Sequence, residues 1–246
     1  MADIVTVMAD PLVDVTDLAK SFGRRPGVSG VSLTLWPGEI IGLVGANGGG
    51  KTTTLRMIAG LLQPGDGSGS VLGADVRRRR RASGSIGYMT QRLALYPELT
   101  VRENLRFRCS AQRVPDAASR IAALARQCGL DEVLDRRVAH LSGGWARRAQ
   151  FAATIAHEPR LLLLDEPTAG LDAVTRRDLW QWQGELAAAG SAILVSTHDL
   201  HEAAYCHRIL HYRDGIAEGP FTPGALIARS GAPDLEAAII ALAEGS

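Results

Sequence analysis

The sequence predicts an α/β fold built on a mostly parallel sheet. Three observations carry that reading. Short apolar runs end in glycine or in polar tips, as in EIIGLVG (39–45) and SAILVSTHD (191–199). Segments with helical periodicity separate them, and alternation of strands with helices is the mark of a parallel sheet with covered faces. The four leucines of PRLLLLDEP (159–167) leave no polar face, as in a strand buried on both sides.

From Val13 to Phe22, and again at Val31, Leu33 and Leu35, apolar residues alternate with polar ones, as in half-buried strands. EIIGLVG is a short apolar strand. After Gly50 the period changes, and Leu55, Ile58 and Leu62 fall on one helical face. QPGDGSGS (63–70) has the composition of a loop. The middle of the chain is helical and reads as a separate lobe. There Ile121, Leu124, Ala125 and Cys128 share a face, and Gly129 stands where a helix is capped. ILHYRDGIAEG (209–219) offers a hairpin with Asp214 and Gly215 at its turn.

Bulk properties set the bounds. A chain of 246 residues can bury a substantial core as one large domain or two lobes. With 46% hydrophobic and 22% charged residues it is globular rather than disordered. A net charge of +1 gives no general attraction to nucleic acid or to acidic membranes. Cys109, Cys128 and Cys206 are few and far apart, which points away from a disulfide framework and towards a reducing compartment. The opening residues carry Asp3 and Asp10 and lack the basic-then-apolar pattern of a secretion signal. No apolar run approaches the roughly 20 residues that span a bilayer. Work at a membrane would therefore require another polypeptide. The run Arg77–Arg81 reads as a solvated face, with contact to anionic lipid headgroups as the sharper alternative.

GANGGGKTT (45–53) fits the pattern G-x-x-x-x-G-K-S/T between an expected strand and an expected helix. That context lets loop N–H groups and the helix start point together at phosphate. Gly45, Gly48, Gly49 and Gly50 free the backbone to approach an anion, with Ala46, Asn47 and Thr53 completing the loop. Lys51 would reach the β- and γ-phosphates, and the Thr52 hydroxyl would ligate Mg²⁺. The bland alternative is a flexible turn with a solvated lysine. Asp165, at the tip of the leucine strand, would hold the metal, and Glu166 would act as general base on water. The alternative there is a solvated loop edge, although α/β proteins place ligands at the carboxyl ends of their strands.

The order GANGGGKTT, Gln91, LSGG (141–144), LLLLDE (161–166), Gly170-Leu171-Asp172 and STHD (196–199) resembles the ATPase subunits of ATP-binding cassette transporters, from about Leu12 to about Gly219. The resemblance implies a RecA-like P-loop NTPase core with a mostly parallel sheet, an N-terminal antiparallel β subdomain and an inserted α-helical subdomain. One nucleotide-binding domain would fill 1–246, with the core at about 12–90 and 160–219, the helical subdomain at about 91–158 and a helical tail at about 220–246. It places Phe22 where an aromatic stacks on adenine, Gln91 where a glutamine senses Mg²⁺ and the attacking water, and His198 against the γ-phosphate. Asp172 would lie where two subunits communicate. Ser142, Gly143 and Gly144 would form the signature that contacts ATP bound to the other subunit. The remaining histidines match no such role and read as structural or solvated.

The partners implied by the resemblance are ATP with Mg²⁺, a second nucleotide-binding subunit in a dimer of like chains, and a separate membrane permease. No nucleic acid is expected. The chain would be cytoplasmic, held at the inner face of the cell membrane by the permease. Two positions depart from the common pattern. Gly49 replaces an alanine, and Trp145 replaces a glutamine that both donates and accepts hydrogen bonds, where indole only donates. LSGGW, GYMTQ followed by LYPELTVRENL, and LEAAIIALAE (235–244) look most like the type-2 exporter branch, which moves drugs and polymers. The alternatives are a non-transport ATPase of DNA repair or translation, or the weaker half of a heterodimeric pair. One cassette without a heptad run disfavours the first; intact Glu166 and His198 argue against degeneracy of this chain's own site, while Trp145, on the partner's site, leaves asymmetry open.

Overall fold

The computed structural model describes residues 10–23, 25–78 and 85–244. Residues 1–9 and Arg79, Arg80 and Arg81 of the arginine run lie outside them. Among the described residues ten strands form one sheet, and seven α-helices accompany them; the strands are β1 (Val13–Phe22), β2 (Arg25–Leu35), β3 (Ile40–Gly45), β4 (Asp66–Val71), β5 (Ala74–Asp75), β6 (Ile86–Met89), β7 (Leu161–Asp165), β8 (Ala192–Thr197), β9 (Arg208–Arg213) and β10 (Ile216–Phe221). The α-helices among the described residues are α1 (Lys51–Ile58), α2 (Val101–Ala111), α3 (Ala117–Gln127), α4 (Gly143–Ile155), α5 (Ala173–Ala188), α6 (Pro223–Ser230) and α7 (Leu235–Glu244).

The strand order is β5-β4-β1-β2-β10-β9-β3-β8-β7-β6. The run β9-β3-β8-β7-β6 is parallel throughout, while β1, β2, β4 and β5 form an antiparallel flank. Every residue of β7 and β8 is buried, as strands covered on both faces require. One apolar cluster unites the antiparallel flank with α1 and one face of the parallel strands. The other joins the opposite face to α2, α3, α4 and α5.

Local signals account for most boundaries. Gly50, with φ 107°, precedes the first turn of α1. Thr100 and Glu103 close a reciprocal capping box at the start of α2. Gly129, with φ 60°, follows α3 in the left-handed conformation that ends helices. Asp214 and Gly215, with φ 51° and 80°, make the tight turn from β9 to β10. Leu62 departs from the periodic reading. The helix ends at Ile58 and the chain turns at Gly60, with φ 69°, so Leu62 is half-buried in the following loop.

The loop expected over residues 63–70 is a strand in its second half. β4 pairs with β1 along Val13 to Ala19. Its glycines are there for proximity, since a Cβ at Gly69 would sit 2.2 Å from the Asp14 carbonyl oxygen and one at Gly67 2.5 Å from the Asp17 backbone. Both also have positive φ, 87° at Gly67 and 134° at Gly69, where side chains are strained. Of the arginine run, Arg77 pairs with Asp66 at 3.2 Å and Arg78 approaches Asp75 at 3.9 Å.

Gly69→Ala is expected to destabilise the fold by about 2–4 kcal/mol, from backbone strain plus a steric overlap that only strand displacement relieves. A urea titration measures this, and an unchanged midpoint would refute the close-approach role of that glycine.

Candidate functional site

The site forms where three parallel strands end side by side. β3 pairs with β8 so that Val44 faces Thr197, and β8 pairs with β7 so that Ser196 faces Asp165. This register brings together the glycine loop after β3, the polar tip of β8 and the two carboxylates at the end of β7.

The loop wraps closely. A Cβ at Gly45, whose φ is 152°, would overlap the Tyr212 carbonyl oxygen at 2.3 Å. Lys51 is buried at 4% exposure, and its Nζ donates to the carbonyl oxygens of Gly45 at 2.6 Å and Ala46 at 3.0 Å. Burial pulls this ammonium below its ordinary pKa, while the charges of Glu166 and Asp165 oppose that shift. A cavity of about 310 Å³ is lined by Asn47, Gly48, Gly50, Lys51, Thr52, Thr53, Gln91 and Glu166. Thr52 Oγ1 donates to Asp165 Oδ1 at 2.9 Å. Ser196 Oγ donates to the same oxygen at 2.8 Å and accepts from the Glu166 N–H at 3.0 Å.

Glu166 adopts φ 46°, which turns its side chain off the end of β7 towards the loop. Gln91 Nε2 donates to Glu166 Oε2 at 3.0 Å, His198 Nδ1 lies 3.4 Å from that oxygen, and Lys51 Nζ is 3.9 Å from Oε1. One carboxylate thus gathers residues from β3's loop, β6's exit and β8's exit. Thr52 and Asp165 present hard oxygen donors at one point, and Gln91 carries an amide oxygen beside them. That donor set suits Mg²⁺, which takes one or two protein ligands and completes its shell with substrate phosphates and water.

A second cavity of about 560 Å³ adjoins the loop, walled by Gly45–Gly49, His198, Tyr212 and, from α7, Ile239 and Ile240. Gly27 lines it too, and Phe22, 51% exposed, lays its ring against Gly27. Ser142 stands at the N-cap position of α4 but makes no side-chain capping bond, contrary to an ordinary cap residue. Ser142 and Gly143 are exposed, and a Cβ at Gly144 would meet Thr175 Oγ1 at 3.1 Å. Within this chain the signature residues do not line the cavities around the glycine loop. Asp172 caps α5, accepting from the N–H groups of Val174 and Thr175 at 3.0 and 2.9 Å. Bonds from Thr175 and Val174 hold its carboxyl below the usual range.

Trp145 is half-buried, and the Arg148 guanidinium lies 5.3 Å from its ring centroid and 5.6 Å from that of Trp182. Asp178 fixes the same guanidinium at 2.6 Å. The indole therefore packs into the helical lobe through cation–π contacts. Two residues of the site were given no role from the sequence, although Ser196 opens the STHD motif. Ser196 is one polar letter in a buried strand, and only the strand register reveals it. Arg147, buried at the base of α4, is the other.

Fold and site together define a nucleotide-binding α/β domain of the phosphate-loop class. The family model described as ABC transporter matches residues 28–169. The chain is 38% identical over 226 residues to the probable multidrug ABC transporter ATP-binding protein YbhF of Escherichia coli, covering 90% of this chain and 39% of that protein. It is likewise 38% identical over 227 residues to the Nod factor export ATP-binding protein I of Paraburkholderia xenovorans, covering 90% of this chain and 74% of that one. A solved ATP-binding subunit of an ABC transporter superposes with a TM-score of 0.83 at 29% identity, over 94% of this chain and 99% of that one. The dimeric cassette MJ0796 in a post-hydrolysis state with ADP and Pi gives 0.78 at 25% identity, over 85% and 98%. The chain belongs to the ABC transporter family. It spans about two fifths of YbhF and about three quarters of the Nod factor protein.

His157, within 3.1 Å of the Ile86 carbonyl oxygen, and His211, in the wall of the larger cavity, are both held below the ordinary imidazole pKa by burial. The unfolded chain therefore takes up their protons first as pH falls. Stability should hold above about pH 7 and decline below about 6.5, where unfolded imidazoles become charged. Thermal melts across that range check this, and His211→Phe should make the decline shallower.

Proposed function

We propose that this chain is the ATP-hydrolysing subunit of an exporter, driving a separate membrane permease. The single observation that carries the reading is Glu166, poised between Lys51, Gln91 and His198 on the wall of the phosphate-loop cavity. Loop N–H groups and Lys51 hold the β- and γ-phosphates. Thr52, Asp165 and Gln91 would hold Mg²⁺, which would neutralise charge on the transferred phosphoryl group. Glu166 accepts the proton of the attacking water, Gln91 orients that water, and His198 steadies the γ-phosphate. Phe22 stacks on the adenine, and a phenylalanine keeps the π face for that purpose.

Ser142, Gly143 and Gly144 act in trans. The start of α4, where Ser142 and Gly143 are exposed and Gly144 is half-buried, would offer its N–H groups as an anion site for ATP held by a second copy. Two like chains would close head to tail on two ATP molecules, with Asp172 and its loop at the contact. Dimeric MJ0796 supports pairing of two cassettes. The segment of about 91–158 would form the helical subdomain that carries this signature.

Among the described residues no helix is long and apolar enough to cross a membrane. A groove of about 400 Å³ lined from the turn after α1, from β6 and from α2 and α4 suits a permease segment. Leu61, Leu93, Tyr96 and Phe107 stand exposed nearby. The subunit would then be cytoplasmic and peripheral. Export follows from the names of the multidrug and Nod factor relatives.

Glu166→Gln should lower ATP turnover by about 10²–10⁴ while nucleotide binding persists. An undiminished rate of phosphate release would refute the general-base role. Trp145→Gln should change turnover less than tenfold, because the ring packs on Arg148 and leaves the signature backbone in place. A tenfold or greater gain would mean that the indole impairs the signature.

A further inference from the structure

Arg147 is 8% exposed, and among the described residues no carboxylate lies within salt-bridge distance of it. The charges of Glu166 and Asp165 attract the guanidinium from further off, yet taking a cation out of water is costly, and a neutral side chain would serve packing alone better. Its bonds show where the cation is directed. Nη2 donates to the carbonyl oxygen of Glu166 at 3.3 Å, and Nη1 donates to the carbonyl oxygen of Thr90 at 3.2 Å and to Gln150 Oε1 at 3.0 Å. Gln150, one turn further along α4, donates to the same Thr90 carbonyl at 3.1 Å and to that of Arg92 at 3.1 Å.

These two carbonyls belong to strategic residues. Thr90 immediately precedes Gln91, and Glu166 is the carboxylate that Gln91 bonds. The Glu166 main chain has φ 46° and is held from the other side by Ser196, whose Oγ and carbonyl oxygen both accept its N–H. Arg147 therefore supplies the second clamp on a strained peptide. It also sits five residues after Ser142 on the helix that the signature opens.

We infer that Arg147 is a positioning residue, which locks the Glu166 and Gln91 backbones to the signature helix so that a shift of α4 changes the aim of both side chains. The inference rests on the hydrolytic reading of the site. A planar guanidinium with separate N–H groups can grip two carbonyls at once, which a lysine ammonium does less well. A displacement of about 1 Å at a reacting group can cost on the order of 100-fold in rate. Nucleotide binding draws on the loop after β3, which Arg147 does not touch.

The test compares the parent chain with Arg147→Met and Arg147→Lys, reading kcat for ATP and, separately, the Kd of a fluorescent ATP analogue. Arg147→Met should lower kcat about 10- to 100-fold while Kd moves less than threefold, and Arg147→Lys should recover part of the loss. A purely structural residue would move Kd and melting temperature together with kcat. Parental kcat in a folded Arg147→Met chain overturns the inference, as does a loss of Kd matching the loss of kcat. Failure of both variants to fold assigns Arg147 to stability alone and overturns it too. A parent that binds the analogue but releases no phosphate defeats the hydrolytic reading itself, and the inference with it.

Discussion

A carboxylate taken out of water must be met by donors or by a cation, or it will not stay ionised. Asp165 is 3% exposed at the end of an all-leucine strand, and its Oδ1 takes hydroxyl bonds from Thr52 and Ser196. The rest of the site hangs on that small cluster. Thr52 brings the start of α1 and hence the glycine loop to the carboxylate. Ser196 brings β8, and by accepting the Glu166 N–H it also sets the turn that throws the next carboxylate outward. Without the parallel register of β3, β8 and β7 these three groups would point at nothing in common.

The helical lobe is joined to this cluster by polar bonds as well as by packing. Arg147 and Gln150 grip the main chain on either side of Gln91. Asn104 of α2 does the same further along, bonding both the N–H and the carbonyl of Tyr96 at 2.8 and 3.0 Å. The segment from Thr90 to Thr100 is thus tied at both ends to helices of the lobe. Trp145 belongs to the packing of that lobe, where Arg148 lies against both its ring and that of Trp182. An aromatic after two glycines looks anomalous in the linear sequence, but in the fold it fills a place in the packing and leaves the exposed helix start unchanged.

Where the sequence misled over residues 63–70, the reason was contact between segments far apart in the chain; elsewhere the reason was local. Gly67 and Gly69 have loop composition, yet they form a strand because β1 approaches too closely for any side chain. Leu62 keeps helical phase although the helix has already turned at Gly60. Ser142 has the residue type of an N-cap and occupies that position without making the bond. Ser196 lay in the STHD motif with no role of its own, and Arg147 was an ordinary arginine in a helix until its partners were known.

Local chemistry by itself determined the strands with their polar tips, the phosphate loop between strand and helix, the helix ends at Gly129 and the hairpin at Asp214 and Gly215. Each depends on residues a few positions apart, through periodicity, backbone freedom and capping. Tertiary structure alone decided that Glu166 meets Lys51, Gln91 and His198, and that Asp165 shares an oxygen with Thr52 and Ser196. These pairs are separated by 31 to 115 positions, and only strand register brings such distant groups within hydrogen-bonding reach.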